Sequence, residues 1–237
     1  MPPRPIPADL LPWALSSLGV VANGPAPALA VVATDASNRR YFRLVLVGQS
    51  YVLAQAPPAT EKNEAFLAVR EVLARAGVKV PALYAVDMER GYLLLEDLGD
   101  RLLLDELDPG SAGNHYRSAF GVLCQIAAVD ADHLDIPAYG RALLAEELGR
   151  FSTWFVEALL GYSLNDEEED LLHRFFARLI DSALEQPRVL VHRDFHSRNL
   201  MPQANGQLAV IDFQDAVVGP VTYDLVSLLR DCYIRWP

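Results

Sequence analysis

A short segment near the end of the chain holds most of the residues that could carry out chemistry. It contains His192, Arg193 and Asp194, then Asn199 five positions later, and Asp212 after a further apolar run. Phosphoryl transfer needs a carboxylate near the attacking hydroxyl and oxygen ligands for a Mg²⁺ ion that bridges the phosphates. Asp194 can supply the first, and Asn199 with Asp212 can supply the second. The segment therefore predicts phosphoryl transfer, with Asp194 as the catalytic residue and the other two as Mg²⁺ ligands.

Each of these carboxylates alone has an ordinary explanation. Aspartate is common in turns and at strand ends, where it accepts hydrogen bonds from backbone amides. The combination is harder to explain, because His-Arg-Asp, Asn at the fifth position after the Asp, and an Asp-Phe pair form the pattern of kinase catalytic segments. Apolar runs at 189–191 and 208–211 predict strands that hold this segment from both sides.

The elements that position this segment fall into two parts. β-like runs occur early, at Ala28–Ala33, Tyr41–Val47, Tyr51–Ala56, Ala82–Asp87 and Gly91–Glu96. Helices are predicted at Leu10–Leu18, with Asp9 as its N-cap, and at Glu61–Ala76. We expect residues 1–98 to form a small, mostly antiparallel lobe that binds nucleotide.

The second part, residues 99–237, is predicted to be mainly helical. Helical periodicity covers Leu102–Asp130, Leu143–Leu160, Glu167–Leu184 and Tyr223–Cys232. Two β-like pieces, Val189–His192 and Leu208–Phe213, flank the chemical segment, with a tight turn at Asn205-Gly206. The expected fold class is α+β, with a β-rich lobe, an acidic hinge near residues 96–100 and a helical lobe that contains one catalytic hairpin.

Composition and charge exclude several classes of protein. Hydrophobic residues make up 51% of the chain and charged residues 22%, which is typical of a globular protein. No apolar run reaches the length of a membrane span, and Met1–Pro5 lacks the apolar core of a signal peptide. With two cysteines at no metal-ligand spacing, a cytoplasmic protein with inert thiols is expected. The net charge of -11 argues against nucleic-acid binding but leaves nucleotide binding open.

The sequence resembles the aminoglycoside phosphotransferase and choline-kinase-like branch of the kinase superfamily. His196 lies two positions after Asp194, where this branch commonly has His and protein kinases have Lys. The resemblance covers nearly the whole chain, and it is closest to bacterial kinases that phosphorylate the anomeric hydroxyl of N-acetylmuramate and N-acetylglucosamine in peptidoglycan recycling. The segments that carry it are Leu10–Trp13, Asp35–Tyr41, Ala56–Pro58, Leu94–Asp100 and Asp212–Ala216.

The resemblance implies a protein-kinase-like, two-lobe fold and roles for individual residues. Asp194 would orient the sugar hydroxyl and accept its proton, Mg²⁺ would be the cofactor, and backbone groups of the hinge would meet the adenine edge of ATP. Relatives in this branch continue for several more helices, so we expect the chain to be a C-terminally truncated part of a longer protein. The residues predicted to contact the nucleotide are Ser37, Asn38, Arg39, Arg40, Glu96 and Leu98.

Two departures from the kinase pattern concern the phosphates. Gln55 stands in the third strand, where most kinases place a phosphate-contacting Lys, and the loop 34–40 has no glycine. Either another cation serves or the phosphate charge is left mainly to Mg²⁺. The candidate cations are Arg39, Arg40 and Lys62, and ordinary surface charge explains the two arginines equally well.

Substrate residues are predicted from a helix face and from positions near the catalytic residue. At α-helical spacing, Glu147 shares a face with Phe151, Trp154 and Ala158. The aromatic pair is more often part of a core, but a glutamate is costly to bury, which indicates that the face borders a wet cleft. The predicted substrate-binding residues are Glu147, Asp215 and His196, and the predicted structural supports of the loop are His192 and Asp224, the latter being equally explicable as a helix N-terminal acid.

Three functions remain open from the sequence. The leading one is a monomeric sugar kinase with ATP and an amino sugar as its partners, and with neither nucleic acid nor membrane among them. An aminoglycoside kinase is the second, because an acidic cleft would suit a polycationic substrate. The third is a nucleotide-binding pseudokinase, which Gln55 favours and the intact Asp194, Asn199 and Asp212 oppose.

Overall fold

The computed structural model describes residues 5–21, 27–34, 38–46, 48–131 and 134–236. The early part of the chain forms a five-stranded antiparallel sheet in the order β1-β2-β3-β5-β4. Helix α1 precedes the sheet, and helix α2 lies between β3 and β4 in the chain. Their bounds are α1 Leu10–Ser17, β1 Leu29–Thr34, β2 Arg40–Leu46, β3 Gln49–Gln55, α2 Asn63–Arg75, β4 Leu83–Asp87 and β5 Tyr92–Glu96.

The two faces of this sheet belong to different cores, because side chains alternate along a strand. On one face, Phe42 and Leu53 pack with Leu10 of α1. On the other face, Ala54 packs with Phe66 and other apolar residues of α2. This alternation decides which charged side chains of β2 and β3 can reach the cleft.

The second part of the chain is helical, as predicted. The helices are α3 Leu103–Glu106, α4 Ala112–Ala127, α5 Arg141–Arg150, a π-helical segment Phe151–Leu159, α6 Asp166–Leu184 and α7 Tyr223–Leu229. Helix α6 begins with a capping box, in which the side chain of Asn165 accepts from the N–H groups of Glu167 and Glu168, both at 3.0 Å. The acidic first turn adds favourable charge at the positive end of the helix dipole.

The π-helical segment corrects the helical face predicted from Glu147 onward. A π-helix bonds each residue five positions along, so the three- and four-residue spacing of an α-helix no longer aligns its side chains. Phe151 is 44% exposed and Trp154 is 68% exposed, so neither belongs to a core. Val156 is the buried residue of this segment.

The strands around the chemical segment pair differently from the prediction. There are four, β6 Arg188–Val191, β7 Leu200–Pro202, β8 Leu208–Val210 and β9 Val217–Pro220. A hairpin is present, but it joins β7 to β8 across the predicted Asn205-Gly206 turn, whereas β6 pairs with β9. Strand β8 pairs with β7, the strand nearest to it along the chain, and β6 pairs with β9, which follows the hairpin. Strands of three or four residues, two of them containing proline, gave too little pattern to be read from the sequence.

The two parts of the chain share one core. Phe66 of α2 stacks on Phe213, with their ring centroids 5.0 Å apart, and both belong to a buried cluster that also includes Leu95 and Leu228. The N–H of Val210 donates to the carbonyl of Lys79 at 2.8 Å, which ties β8 to the first part. The two-lobe α+β fold class is confirmed. None of the helices in the described part of the chain has the length and apolar character of a membrane span.

Candidate active site

The catalytic loop, residues 192–199, joins β6 to β7 and folds back on itself around Asp194. The N–H of His196 donates to the carbonyl of Asp194 at 3.0 Å, and the N–H of Asn199 donates to the carbonyl of His196 at 2.9 Å. These two turns bring Asp194 and Asn199 close enough for their side chains to serve one site.

Strained backbone marks both sides of this site. Arg193 has φ +78° and Asp212 has φ +64°, in the left-handed region that residues other than glycine rarely adopt. Such strain persists only where the surroundings hold it. Asp224, at the start of α7, holds the first position by accepting from the N–H groups of His192 at 2.7 Å and Arg193 at 3.0 Å. Burial raises the pKa of Asp224 to about 6, although these two donors oppose the change.

His192 links the two strained positions. Its Nδ1 accepts from the N–H of Asp194 at 3.2 Å, and its Nε2 lies 3.0 Å from the carbonyl of Ile211, so this tautomer carries its proton on Nε2. Burial lowers the pKa of His192 to about 4, which leaves the ring neutral near pH 7. The residue therefore has the geometry of a brace, as predicted, and not that of a base.

Asn199 and Asp212, which we call the magnesium pair, lie side by side. The amide of Asn199 donates to the carbonyl of Asp194 at 2.9 Å and to Oδ2 of Asp212 at 3.4 Å. Burial and the negative charge of Asp212 raise the pKa of Asp194. A cation bound between the two carboxylates would relieve their repulsion. Mg²⁺ commonly takes one or two protein oxygens and completes its shell with phosphate and water. The pair fits that ion, and the described residues contain no cluster of three or more His, Cys, Asp or Glu that could hold a metal alone.

Arg39 lies beside the magnesium pair and is 3% exposed. Its Nη1 donates to Oε1 of Gln214 at 3.3 Å, and the amide of Gln214 donates to Asp212 at 2.7 Å. Its Nη2 lies 3.5 Å from Oδ1 of Asn63, and its Nε lies 3.6 Å from a carboxylate oxygen of Glu61. The loop before β2, the start of α2 and the segment after Asp212 thus meet at one buried guanidinium.

Arg40, its neighbour, points to the opposite face of the sheet. It faces Gln55 across β2 and β3, donates to the Gln55 side chain at 2.8 Å and lies 5.3 Å from the ring centroid of Phe42, in the core beside α1. Because Ala54 faces α2, the adjacent Gln55 faces away from the cleft. This location argues against the prediction that Arg40 contacts nucleotide, and it also means that Gln55 does not occupy a cleft-facing position.

A cavity of about 470 Å³ opens beside Asp194. Its lining residues are Glu147, Arg150, Arg193, Asp194, Asp215 and Tyr223. Arg193 donates to Oε1 of Glu147 at 2.5 Å, and Oε2 of Glu147 accepts from the hydroxyl groups of Tyr139 and, at 3.2 Å, Tyr223. Burial opposes ionisation of Glu147, but these donors outweigh it and lower the pKa. Glu147 was predicted to bind substrate. It lines the cavity, with Oε1 paired with Arg193 and Oε2 accepting from two tyrosine hydroxyl groups, and its contact with substrate stays a prediction.

Asp215 lies on the other side of this cavity. Its Oδ1 accepts from the ammonium group of Lys62 at 2.7 Å, so Lys62 is directed to this acid. Burial would raise the pKa of Asp215, but the hydrogen bond and positive charge of Lys62 outweigh it and the pKa is lowered. Asp215 therefore enters the cavity as a paired carboxylate.

Comparison with known proteins places this arrangement in a family. Residues 28–237 match the model described as the phosphotransferase enzyme family. The chain belongs to this family. It is 43% identical over 213 residues to an N-acetylmuramate/N-acetylglucosamine kinase of Pseudomonas putida, which covers 90% of the chain and 62% of that relative. A protein of the same name from Neisseria meningitidis is 36% identical over 88% of the chain and 63% of its own length.

Solved structures show the same fold at much lower identity. The ternary complex of a thermostable mutant of aminoglycoside phosphotransferase APH(4)-Ia with AMP-PNP and hygromycin B superposes with a TM-score of 0.61 at 19% identity. The match covers 93% of this chain and 76% of that one. The chain thus has the family fold, and it spans about 62% of the length of the relatives it matches in sequence.

The predicted hinge near residues 96–100 is held by several charged pairs. Arg43, which was not predicted from the sequence, contacts Asp97 at 2.6 Å and Asp100 at 2.9 Å. Glu96 donates its N–H to the carbonyl of Ala82 at 2.8 Å and pairs its carboxylate with Lys79 at 2.6 Å. The N–H of Glu96 is therefore already engaged within the sheet. That Glu96 and Leu98 offer backbone groups to adenine stays a prediction.

The remaining predicted site residues, His196, Asn38 and Ser37, differ in how much the structure says about their contacts. The ring of His196 packs against Tyr233 with centroids 5.2 Å apart, and its Nδ1 is buried with no hydrogen-bond partner among the described residues. His196 is absent from the cavity lining, so its predicted contact with substrate gains no support. The N–H of Asn38 donates to Glu61 at 3.1 Å. Ser37, predicted to contact the nucleotide, lies outside the described residues.

Sequence reasoning missed the residues that connect the predicted ones. Gln214 joins Arg39 to Asp212, and its position two after a predicted metal ligand is the signal that could have found it. Tyr223 holds Glu147 from 76 positions away, and Tyr139 lies eight positions before Glu147 but outside its helix, so nothing in the local pattern indicates these contacts. Side-chain networks of this kind depend on the tertiary fold.

Proposed function

We propose that this protein is an ATP-dependent kinase that phosphorylates the anomeric hydroxyl of N-acetylmuramate or N-acetylglucosamine in peptidoglycan recycling. The observation that carries the proposal is the position of Asp194, between the magnesium pair and a cavity large enough for a sugar. The names of the relatives in Pseudomonas putida and Neisseria meningitidis support the choice of acceptor. ATP supply makes the cytoplasm the expected compartment, and one copy of the chain already carries the proposed catalytic residues, so we propose a monomer.

In the proposed reaction, the sugar hydroxyl attacks the γ-phosphorus of ATP. The new bond joins the sugar oxygen to that phosphorus, the bond to the β–γ bridging oxygen breaks, and ADP leaves with the bond's electron pair. Asp194 orients the hydroxyl and accepts its proton, and its raised pKa makes the carboxylate a better base than an ordinary aspartate. Phosphoryl transfer depends mainly on positioning and charge, so the rigid loop suits this reaction.

The nucleotide side of the proposal uses both parts of the chain. We divide it into residues 1–98, which bind nucleotide, and residues 99–237, which hold the catalytic loop and the acceptor. Asn199 and Asp212 would hold Mg²⁺, which offsets phosphate charge when bound. Arg39 would contact the phosphates, because it is a buried cation that is linked to the magnesium pair through Gln214. Asn38, whose N–H already donates to Glu61, would contact the phosphates through its side chain.

The charge of the cavity favours a sugar over an aminoglycoside. A polycationic acceptor needs acids that are not already neutralised, yet Glu147 is paired with Arg193 and Asp215 is paired with Lys62. Arg150 in the lining adds positive charge that would repel a polycation. A pseudokinase is disfavoured because Arg39 would supply a cation near the phosphate site. Gln55, in the place of the usual lysine, then no longer argues against catalysis.

The experiment that tests the function is a kinase assay with N-acetylmuramate, N-acetylglucosamine and kanamycin, each with ATP and Mg²⁺. We expect ADP release with one or both sugars and none above background with kanamycin. Phosphorus NMR of the product then identifies the hydroxyl, since an anomeric phosphate couples to the anomeric proton and is labile in mild acid. Turnover of kanamycin alone, or a phosphate at another sugar position, would contradict the proposal.

A further inference from the structure

We infer that Arg150 binds the carboxylate of an anionic sugar acceptor in the cavity beside Asp194. The inference rests on the proposed function and deepens it, because it names the residue that separates an acidic sugar from a neutral one. N-acetylmuramate carries a carboxylate on its ether side chain, whereas N-acetylglucosamine carries none. Arg150 ends helix α5 and is one of the residues that line the cavity beside Asp194.

Two lining residues carry positive charge, and only Arg150 can be redirected easily. Arg193 is 20% exposed, pairs with Glu147 at 2.5 Å and has its guanidinium 5.7 Å from the ring centroid of Tyr139. Its backbone is held as well, because its N–H donates to Asp224. A substrate carboxylate could recruit Arg193 only by breaking this buried network.

Arg150 is held much more weakly. Among the described residues, its ion pair joins Nη2 to Oε1 of Glu146 at 3.1 Å, and the two side chains are 55% and 66% exposed. Exposed pairs of this kind contribute little free energy, since water competes for both charges. A carboxylate that enters the cavity can therefore take over the guanidinium, whose planar donors match a carboxylate in a bidentate contact.

The other charges of the lining make room for an anion. Glu147 and Asp215 would repel an acidic sugar, but each has a cation of its own, Arg193 and Lys62 respectively. Asp194 is the remaining lining acid, and its place beside the reacting hydroxyl keeps it at the catalytic end. Arg150 thus supplies the positive charge that the side-chain carboxylate of the sugar requires.

The test compares both sugars as substrates of the wild-type chain and of Arg150→Gln. We expect the KM for N-acetylmuramate to rise about tenfold or more, as loss of a charge-assisted contact predicts, and the KM for N-acetylglucosamine to stay within about twofold. Glu146→Gln removes the competing partner, so it should lower the KM for N-acetylmuramate about twofold without affecting the neutral sugar. Arg150→Lys should restore part of the difference.

Arg141→Gln is the matched control, because Arg141 is an exposed arginine at the other end of α5 that pairs with Asp181 and is absent from this cavity. Equal effects of Arg150→Gln on both sugars, or none on either, would overturn the inference while leaving the kinase function intact. If the wild-type chain phosphorylates neither sugar, the proposed function fails. Calorimetric titration of both sugars with AMP-PNP and Mg²⁺ then tests Arg150 alone, and loss of selective N-acetylmuramate binding in Arg150→Gln is the result that supports it.

Discussion

The cleft centre and the outer helical face of this protein are built in opposite ways. The cleft centre, formed by the catalytic loop, Asp212 and Arg39, rests on side chains that are almost fully buried, and Phe195 and Phe213 are 0% exposed. The outer helical face, formed by α5, the π-helical segment and α6, exposes large apolar groups, with Trp154 at 68% and Leu159 at 72%.

Charged residues follow the same division. In the cleft centre, Asp224 and His192 are buried and bonded to backbone groups of the catalytic loop and of Ile211. On the outer helical face, Arg141 pairs with Asp181 and Arg150 pairs with Glu146, and all four side chains are more than half exposed. Buried polar groups are costly to leave unpaired, so they specify one geometry, whereas exposed pairs contribute little and tolerate change. In the proposed function, the cleft centre would hold the reaction geometry and the outer face would adapt to the acceptor.

The largest expected effect is that of Asp194→Asn on turnover. Loss of the base should lower kcat about 10³-fold, with KM for ATP changed about twofold or less, because Asn keeps the size of the side chain. Steady-state ADP release measures both constants. Asp181→Asn on the outer helical face serves as the control and should match wild type. Retention of more than about a tenth of kcat in Asp194→Asn would show that another group takes the proton.

A smaller effect is expected from Arg39→Gln, compared with Arg40→Gln next to it. Loss of a charge-assisted phosphate contact should weaken ATP binding about tenfold or more, whereas Arg40, on the opposite face of the sheet, should change it about twofold or less. Titration with ATP and with adenosine measures the difference. Adenosine has no phosphate, so its affinity should change little in Arg39→Gln if the fold is intact. Equal losses for ATP and adenosine would instead mean that Arg39 only supports the fold.

The smallest expected effect is the pH dependence that Asp224 gives to stability. Its pKa is raised to about 6 in the folded chain, against about 3.9 for an unfolded aspartate. Its contribution to the free energy of unfolding is therefore complete below about pH 4 and is lost as pH rises through about 6. Between about pH 5.5 and pH 7.5, wild type should lose about 1 kcal/mol relative to Asp224→Asn.

Urea unfolding of both proteins at the two pH values measures this difference. Asp181→Asn, which removes an exposed carboxylate, should track wild type at both. If the free energy of unfolding changes with pH equally in wild type and in Asp224→Asn, burial of the Asp224 charge carries no cost. The contrast between the two regions would then weaken.

The sequence was enough to predict the two-lobe fold class and most helices and strands of the first part. It also singled out Asp194, Asn199, Asp212 and His192, because residue types in a fixed local spacing carry that information, whereas the supporting role of Asp224 was predicted from the family resemblance. The predicted helical face from Glu147 onward was wrong beyond Arg150, since an α-helical period was assumed where the backbone is π-helical. The pairing of β6 with β9 was missed because short strands leave little pattern.

What the sequence alone determined, then, is a set of residues, an aspartate, an asparagine and a second aspartate, at a spacing suited to phosphoryl transfer with Mg²⁺. Only the tertiary structure decided which of two adjacent arginines faces the cleft, because side-chain direction depends on how each strand face packs. It also decided that Glu147 holds Arg193 while Arg150 lines the cavity with a weak partner. Contacts between distant residues depend on the packing of whole elements, and no local spacing encodes them.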